Sequence, residues 1–313
     1  MRVFDLKVGY SCNNNCIHCV IADHREMAIK KRGNQDRDTE EVLKEINDAK
    51  DRGCEIVTLT GGEPLIRKDI FEILEHIKKI GLDVVIQTNG RKLSDISFVD
   101  RLATFDISGF CIALHSQKEK VHDEITQSNG SFAQTVEGIR NLRKYGKKII
   151  GKVVLSKKNY PELKLLLEFF VELGVHDINV AFPHANGNAW KYFDDVVPKY
   201  TDIMPYVNDT IGFVESNNST RGKDRHINIS FEAIPFCFLE GHIFYSSDLS
   251  YLSKNKTESK QLSSDKILDW QECRISIKSK FPQCKICKYD ELCEGVWKEY
   301  PIKYGFMEFK AIK

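Results

Sequence analysis

"GYSCNNNCIHC", residues 9–19, sets three cysteines, Cys12, Cys16 and Cys19, in one short loop and supplies no fourth. The run before it, "RVFDLKVGY" over residues 2–10, alternates apolar and polar side chains and reads as a strand. The triad therefore sits where the first strand ends, and its meaning depends on what ends the others.

Working outward, Asp38 heads a helix with Glu41 as its capping-box partner; Val42, Ile46 and Ala49 share one face, and Gly53 ends it. "EIVTLT" is a second strand. Asp69 opens another helix, whose Ile70, Ile73, Leu74 and Ile77 form a buried stripe before Gly81, and "LDVVIQT" is a third strand. The alternation continues with a helix over 94–103, strand "GFCIALH", a helix over 131–145, strand "IIGKVVL", a helix over 161–173 and strand "HDINVAF". Six strands separated by helices must run parallel, and right-handed crossovers curl such a sheet into a full or partial barrel. The predicted fold is α/β, a full or partial (β/α)6 parallel barrel over 1–216 whose last element is a helix over 198–216. The polar stretch "SNNSTRGKD" predicts a linker over 217–225, and a small cysteine-rich domain is expected over 226–313.

The loops after these strands share a character. "SCNNNCIHC" follows the first, "GGEP" (Gly61–Pro64) the second, "TNG" (Thr88–Gly90) the third and "HS" (His115, Ser116) the fourth; "SKKN" and "PHANGN" follow the fifth and sixth. In a parallel barrel all of these lie at the C-terminal mouth, where ligands gather. Any one of them could be only a turn, but a turn does not explain a cysteine triad at the same mouth. Three thiolates fit a zinc site completed by His18 or His24, or a cubane cluster with three irons held and the fourth left open.

Composition narrows the partners. The chain has 313 residues, 42% of them hydrophobic, and 46 basic against 45 acidic side chains give a net charge of +1. No global field would attract nucleic acid or an anionic membrane. The N-terminus lacks the layout of a signal peptide, and "LKLLLEFFVELG" is too short and too charged to span a bilayer. A cytoplasmic protein is expected. Ten cysteines in a reducing compartment point to metal or redox chemistry rather than to disulfides.

The spacing C-x3-C-x2-C, followed by "GGEP", resembles the radical S-adenosylmethionine (radical SAM) superfamily over roughly Met1 to Ser216. The resemblance implies that Cys12, Cys16 and Cys19 ligate a 4Fe-4S cluster whose open iron binds the amino and carboxylate groups of S-adenosylmethionine. An electron, from a donor such as flavodoxin or ferredoxin, then cleaves the sulfonium, and a 5′-deoxyadenosyl radical takes hydrogen from substrate. It further implies that the carbonyls of Gly61 and Gly62, in the motif completed by Pro64, approach the methionyl ammonium, and that Glu63 accepts from it. Asn89, His115 and Ser116 would contact the ribose or carboxylate, and His18 would flank adenine.

A second cluster, C-x2-C-x5-C at Cys284, Cys287 and Cys293, resembles part of the SPASM and shorter twitch extensions that hold auxiliary iron–sulfur clusters. Trp297 stands where a full SPASM pattern has a further cysteine, so one auxiliary 4Fe-4S cluster is expected. Its fourth ligand is Cys237 or Cys273, with Cys237 preferred because "INISFEAIPFC" reads as a strand that can place it rigidly. Zinc also fits a CxxC with more distant cysteines. Cys54 and Cys111 fall in strand-like runs and read as buried small apolar residues.

Radical enzymes with such extensions mostly modify peptides, and "LHSQKEKVHDEITQSNGSFAQTVEGIRNL" resembles peptide-modifying members. A ribosomally made peptide is thus the first expected substrate, to be crosslinked, oxidised or epimerised. With Cys12 so early, no leader-binding module is expected before the barrel, so recognition falls to a separate partner or to the mouth itself. Epimerisation needs a thiol hydrogen donor, a role open to Cys273 if Cys237 is a ligand. A radical enzyme acting on a small molecule such as a cofactor precursor or sugar, and a non-catalytic zinc or iron–sulfur protein, are the alternatives.

Overall fold

Phe4, Leu6 and Val8 turn to one side of Arg2–Gly9 and are buried there, while Asp5 and Lys7 turn to the other. That alternation makes β1 a half-buried strand, and it recurs along the chain. The computed structural model describes residues 2–220, 222, 225–252, 256–260 and 267–313. Next come β2 (Ile56–Gly61), β3 (Asp83–Thr88), β4 (Gly109–Ala113), β5 (Ile149–Val154) and β6 (Asp177–Ala181). Each pairs in parallel with its predecessor, so the six expected strands form one continuous ladder.

Three more strands join the same sheet: β7 (Asn228–Glu232) beside β6, β8 (Lys256–Lys260) parallel to β1, and β9 (Ile267–Asp269) antiparallel to β8. The order is β7-β6-β5-β4-β3-β2-β1-β8-β9, an open sheet of eight parallel strands with one antiparallel edge. Among the described residues the two edges do not pair with each other, so the barrel is partial.

Crossover helices cover one face. Thr39–Asp51 buries Val42, Ile46 and Ala49, Ile70–Lys79 buries its Ile/Leu stripe, and both join Phe4, Leu6, Val57 and Leu59 in the main core. The opposite face carries Lys7, Thr60, Gln87, Cys111, Lys152, Asn179, Ser230 and Glu232.

The structure differs from the sequence reading in four places. Residues 22–32, expected as loop, form the helix Ala22–Arg32, in which Ala28 is the buried side chain, so no apolar stripe announces it. Glu119–Thr126 is a further helix. The helix expected to end at residue 216 runs on to Thr220, four residues into the expected linker, because Asn218 caps the returning chain: its amide donates to the Ile227 carbonyl and accepts the Ile227 N–H. The strand expected to run on to Cys237 ends at Glu232, where Ala233 takes a left-handed φ of 59° with its N–H on Asp248. Of the region after 225, β7, β8 and β9 join the barrel's sheet, while Lys278–Ser279 and Val296–Trp297 pair antiparallel in a separate two-stranded sheet. Among the described residues no helix is long and apolar enough to cross a membrane.

Candidate active site

The cysteine loop is fastened from four sides. From β2, Gly62 N–H donates to the Gly9 carbonyl and Glu63 N–H to the Ser11 carbonyl, both at 2.8 Å. A Cβ on Gly62 would collide with the Ser11 carbonyl, and one on Gly61, at φ 127°, with that of Gly9. The two glycines therefore let two backbones touch. The sequence reading gave them to the cofactor's ammonium; in the structure they first serve the cysteine loop.

From below, Asn15 and Ile17 donate their N–H groups to the carbonyls of Thr126 and Ile125, each at 2.9 Å. These are last-turn carbonyls of the helix Glu119–Thr126, which have no partner within a helix. The Arg91 guanidinium binds the Asn13 carbonyl, Asn14 Oδ1 at 2.8 Å and Ser128 Oγ at 2.7 Å. From the loop after β6, Asn188 gives its backbone N–H to the Cys19 carbonyl and its amide to the Cys16 carbonyl, both at 2.9 Å. Gly187, at φ 56°, permits this contact, since its Cβ would stand 2.6 Å from the Cys19 oxygen.

Glu63 is 2% exposed and its carboxylate is fully engaged: Leu65 N–H and Thr88 Oγ1 donate to Oε1, and Asn89 N–H donates to Oε2 at 2.6 Å. Burial pushes this carboxyl above its ordinary range, and the three donors pull it back. Its observed partners are thus internal, where the sequence reading expected the ammonium. Pro64 starts the short turn Pro64–Ile66 that Glu63 caps. Asn89 in turn donates from Nδ2 to Cys12 Sγ at 3.8 Å, and Asn14 N–H donates to the same sulfur at 3.4 Å. Burial raises all three thiols, so as free groups they would stay protonated; a metal centre removes that bar. Three thiols on one braced loop, with N–H donors aimed at the Cys12 sulfur, fit a thiolate-held iron–sulfur cluster.

Beside the triad stand three imidazoles. His18 meets His115 edge to face at 4.5 Å between ring centres, and His115 stacks on His122 at 5.8 Å. Burial, and then the neighbouring rings, hold His18 down at about 4 and His115 well below the usual histidine range; burial lowers His122 to about 4. All three are neutral at pH 7. The network fixes two tautomers: His115 Nδ1 accepts the Val154 N–H and His122 Nδ1 accepts the His115 N–H, so each carries its proton on Nε2. Ser116 is buried and its Oγ accepts the Lys118 N–H, opening the helix that carries His122.

At the C-terminal cluster, Cys237, Cys284, Cys287 and Cys293 line one cavity, with Phe281 and Tyr289 in its wall. Cys273 is not among its lining residues. It lies on the helix Trp270–Ser276, close enough to Lys7 of β1 to act on its charge. Backbone N–H groups again point at sulfur: Phe281 to Cys284 at 3.4 Å, Lys310 to Cys237, and Phe236 and Gly295 to Cys293. Burial and then the other thiols push Cys237 up to about 12, while Lys278 and Lys280 counter the rise that burial causes at Cys293. Among the described residues no three His, Cys, Asp or Glu side chains close in as ligands of a single ion.

The inner face of the sheet is charge-balanced. Lys7 pairs with Asp5 at 3.0 Å, and Lys152 pairs with Glu232 at 2.6 Å beside the amide of Asn179. Arg274, fully buried, reaches Glu232, Asp248 and Glu294, and Lys278 binds the last two. Burial alone would raise Glu232, but Lys152 and Arg274 hold it at about 2. This network ties β7 to the residue after Cys293, so the mouth and the C-terminal cavity form one braced unit. Sequence reasoning missed Arg91, His122, Asn188, Lys152 and Glu232. The alternation of β5 and β7 would have put the last two inside.

Comparison with known proteins agrees with this geometry. The family model of the Radical SAM superfamily matches residues 6–170. An AdoMet-dependent heme synthase of Methanosarcina barkeri is 26% identical over 94% of this chain and 90% of its own. A probable GTP 3′,8-cyclase of Saccharolobus islandicus is 30% identical over 61% of this chain and 62% of its own. Among solved structures, Streptococcus suis SuiB bound to S-adenosylmethionine superposes on 100% of this chain and 76% of its own with a TM-score of 0.66 and 16% identity. SuiB has also been solved with its precursor peptide SuiA. At that identity the likeness speaks to fold.

Proposed function

The chain belongs to the radical SAM superfamily, and on that premise we propose that it cleaves S-adenosylmethionine reductively at Cys12, Cys16 and Cys19 and takes a hydrogen atom from a peptide. When bound, a 4Fe-4S cluster carrying S-adenosylmethionine supplies one-electron reduction of the sulfonium and, from it, a 5′-deoxyadenosyl radical. The protein's part is to bind and orient. Cys12, Cys16 and Cys19 would hold that cluster. Gly62, Asn188 and Arg91 keep their loop in one shape. His115 offers a neutral Nε2–H and, with Asn89 and Ser116, faces the cofactor's ribose or carboxylate; His18 flanks adenine. Cys237, Cys284, Cys287 and Cys293 would hold an auxiliary cluster, and Cys273, outside that cavity and close to Lys7 of the inner face, is the hydrogen donor if the reaction needs one. An external one-electron donor is required.

The observation that carries the peptide reading is the inner face itself. Its lysines are each matched by a carboxylate, and Gln87, Asn179 and Ser230 add amide and hydroxyl groups. Among the described residues such a surface has no surplus cation for a triphosphate or a polycarboxylate, and it suits the alternating donors and acceptors of a peptide backbone. A precursor peptide bound to SuiB, a protein of the same fold, supports this reading. A small-molecule substrate is the second reading, favoured by the near full-length match to a heme synthase.

The test uses deuterium. The abstracted hydrogen ends up in 5′-deoxyadenosine, so the reconstituted enzyme is given deuterated cell extract split at about the size of a short peptide. Deuterium from the larger, protease-sensitive fraction supports a peptide. Deuterium from the smaller fraction alone rejects it.

A further inference from the structure

Asn89 has one side-chain orientation open to it. Its Oδ1 accepts the Arg91 N–H at 3.0 Å, so a flipped amide would set its NH2 group against that donor. The NH2 group must therefore face the cysteine loop, where it donates to Asn13 Oδ1 at 2.7 Å and to Cys12 Sγ at 3.8 Å. The backbone beneath it is equally fixed. Asn89 N–H is held by Glu63, its carbonyl accepts Thr135 Oγ1 at 2.8 Å, and Gly90 N–H donates to Thr88 Oγ1 at 3.0 Å. None of these backbone bonds depends on the Asn89 side chain.

We propose that Asn89 is a positioning residue that holds an N–H donor on the Cys12 sulfur and so raises the reduction potential of the cluster the triad carries. The inference rests on the radical SAM reading above and adds a role toward sulfur to the cofactor-facing role proposed there for Asn89. Reduction adds negative charge to a cluster and its sulfurs. A dipole whose positive end faces one of those sulfurs stabilises the reduced state more than the oxidised one. The buried Glu63 carboxylate fixes that dipole in place, and so connects the motif after β2 to the redox behaviour of the loop after β1.

The test is a potentiometric titration of the full-length, reconstituted protein followed by electron paramagnetic resonance. The signal that S-adenosylmethionine perturbs identifies the triad's cluster. Asn89→Ser removes the N–H donor while keeping an oxygen for the turn, and Asn89→Asp replaces the donor with a negative acceptor. At a fixed applied potential the ratio of reduced to oxidised cluster should fall about three- to tenfold in Asn89→Ser, at 59 mV per tenfold. It should fall further in Asn89→Asp. Asn13→Ala removes the amide's other partner and should leave the potential at the wild-type value. Wild-type potentials in both Asn89 variants overturn the proposal and leave the radical SAM reading intact. A wild-type protein with no S-adenosylmethionine-sensitive cluster overturns both.

Discussion

Glu63 Oε2 accepts the backbone N–H of Asn89 at 2.6 Å, so the carboxylate that ends the second strand's motif shapes the loop that ends the third. Glu63→Gln keeps the shape but turns an NH2 group toward at least one of three donors. The loss should be about 1–3 kcal/mol, the usual penalty for a buried polar group without its partner. Denaturant unfolding of the iron-free protein measures it. An unchanged midpoint would mean that the network is not holding the loop.

Gly62→Ala and Gly187→Ala should each push the cysteine loop away from its supports, since the added methyl meets a carbonyl of that loop in both cases. Iron at the triad should be lost while iron at the C-terminal cavity stays. Iron counting against a Cys284→Ala reference separates the two sites. Wild-type iron in both glycine variants would contradict the close approach described here.

Cys237→Ala should lose the auxiliary iron and Cys273→Ala should keep it, because Cys237 lines the cavity of Cys284, Cys287 and Cys293 and Cys273 does not. If Cys273 returns hydrogen to the substrate radical, its alanine variant still makes 5′-deoxyadenosine and loses product. Auxiliary iron retained by Cys237→Ala and lost by Cys273→Ala would reverse the assignment.

His122 should make the protein acid-sensitive. Its pKa is about 4 when folded, against an ordinary value of about 6.5 when unfolded. Between these the unfolded chain binds the extra proton, so stability is full above about 6.5 and is lost as pH falls toward 4. The loss from this residue approaches about 3 kcal/mol. His122→Asn, which keeps an acceptor for the His115 N–H and does not titrate, should flatten that part of the curve. Parallel pH curves for the two proteins would rule the effect out.

Much of the sheet was legible because parallel strands and their helices carry strong apolar periodicity: Phe4, Leu6 and Val8 in β1, Ile70 to Ile77 in the second crossover. The helix Ala22–Arg32 was not, since a helix that buries only Ala28 leaves no stripe. The strands β7 and β8 that extend the sheet past β6 and β1 come from beyond the apparent linker, and a polar stretch shows nothing of whether the chain returns to an open edge. At the site, the cysteines and "GGEP" were visible as motifs, but the work of the glycines was not. Spacing shows that a position lacks a side chain; only the fold shows that the Ser11 carbonyl occupies the space. Likewise Cys237 and Cys273 stay alternatives on spacing alone, because spacing does not show which of them lines the cavity of Cys284, Cys287 and Cys293.

The central claim is that Cys12, Cys16 and Cys19 support reductive cleavage of S-adenosylmethionine. Anaerobic reconstitution with iron and sulfide, followed by dithionite and S-adenosylmethionine, should yield 5′-deoxyadenosine from the wild type and none from the variant with all three cysteines changed to alanine. No 5′-deoxyadenosine from the wild type, or an equal amount from the triple variant, would contradict it.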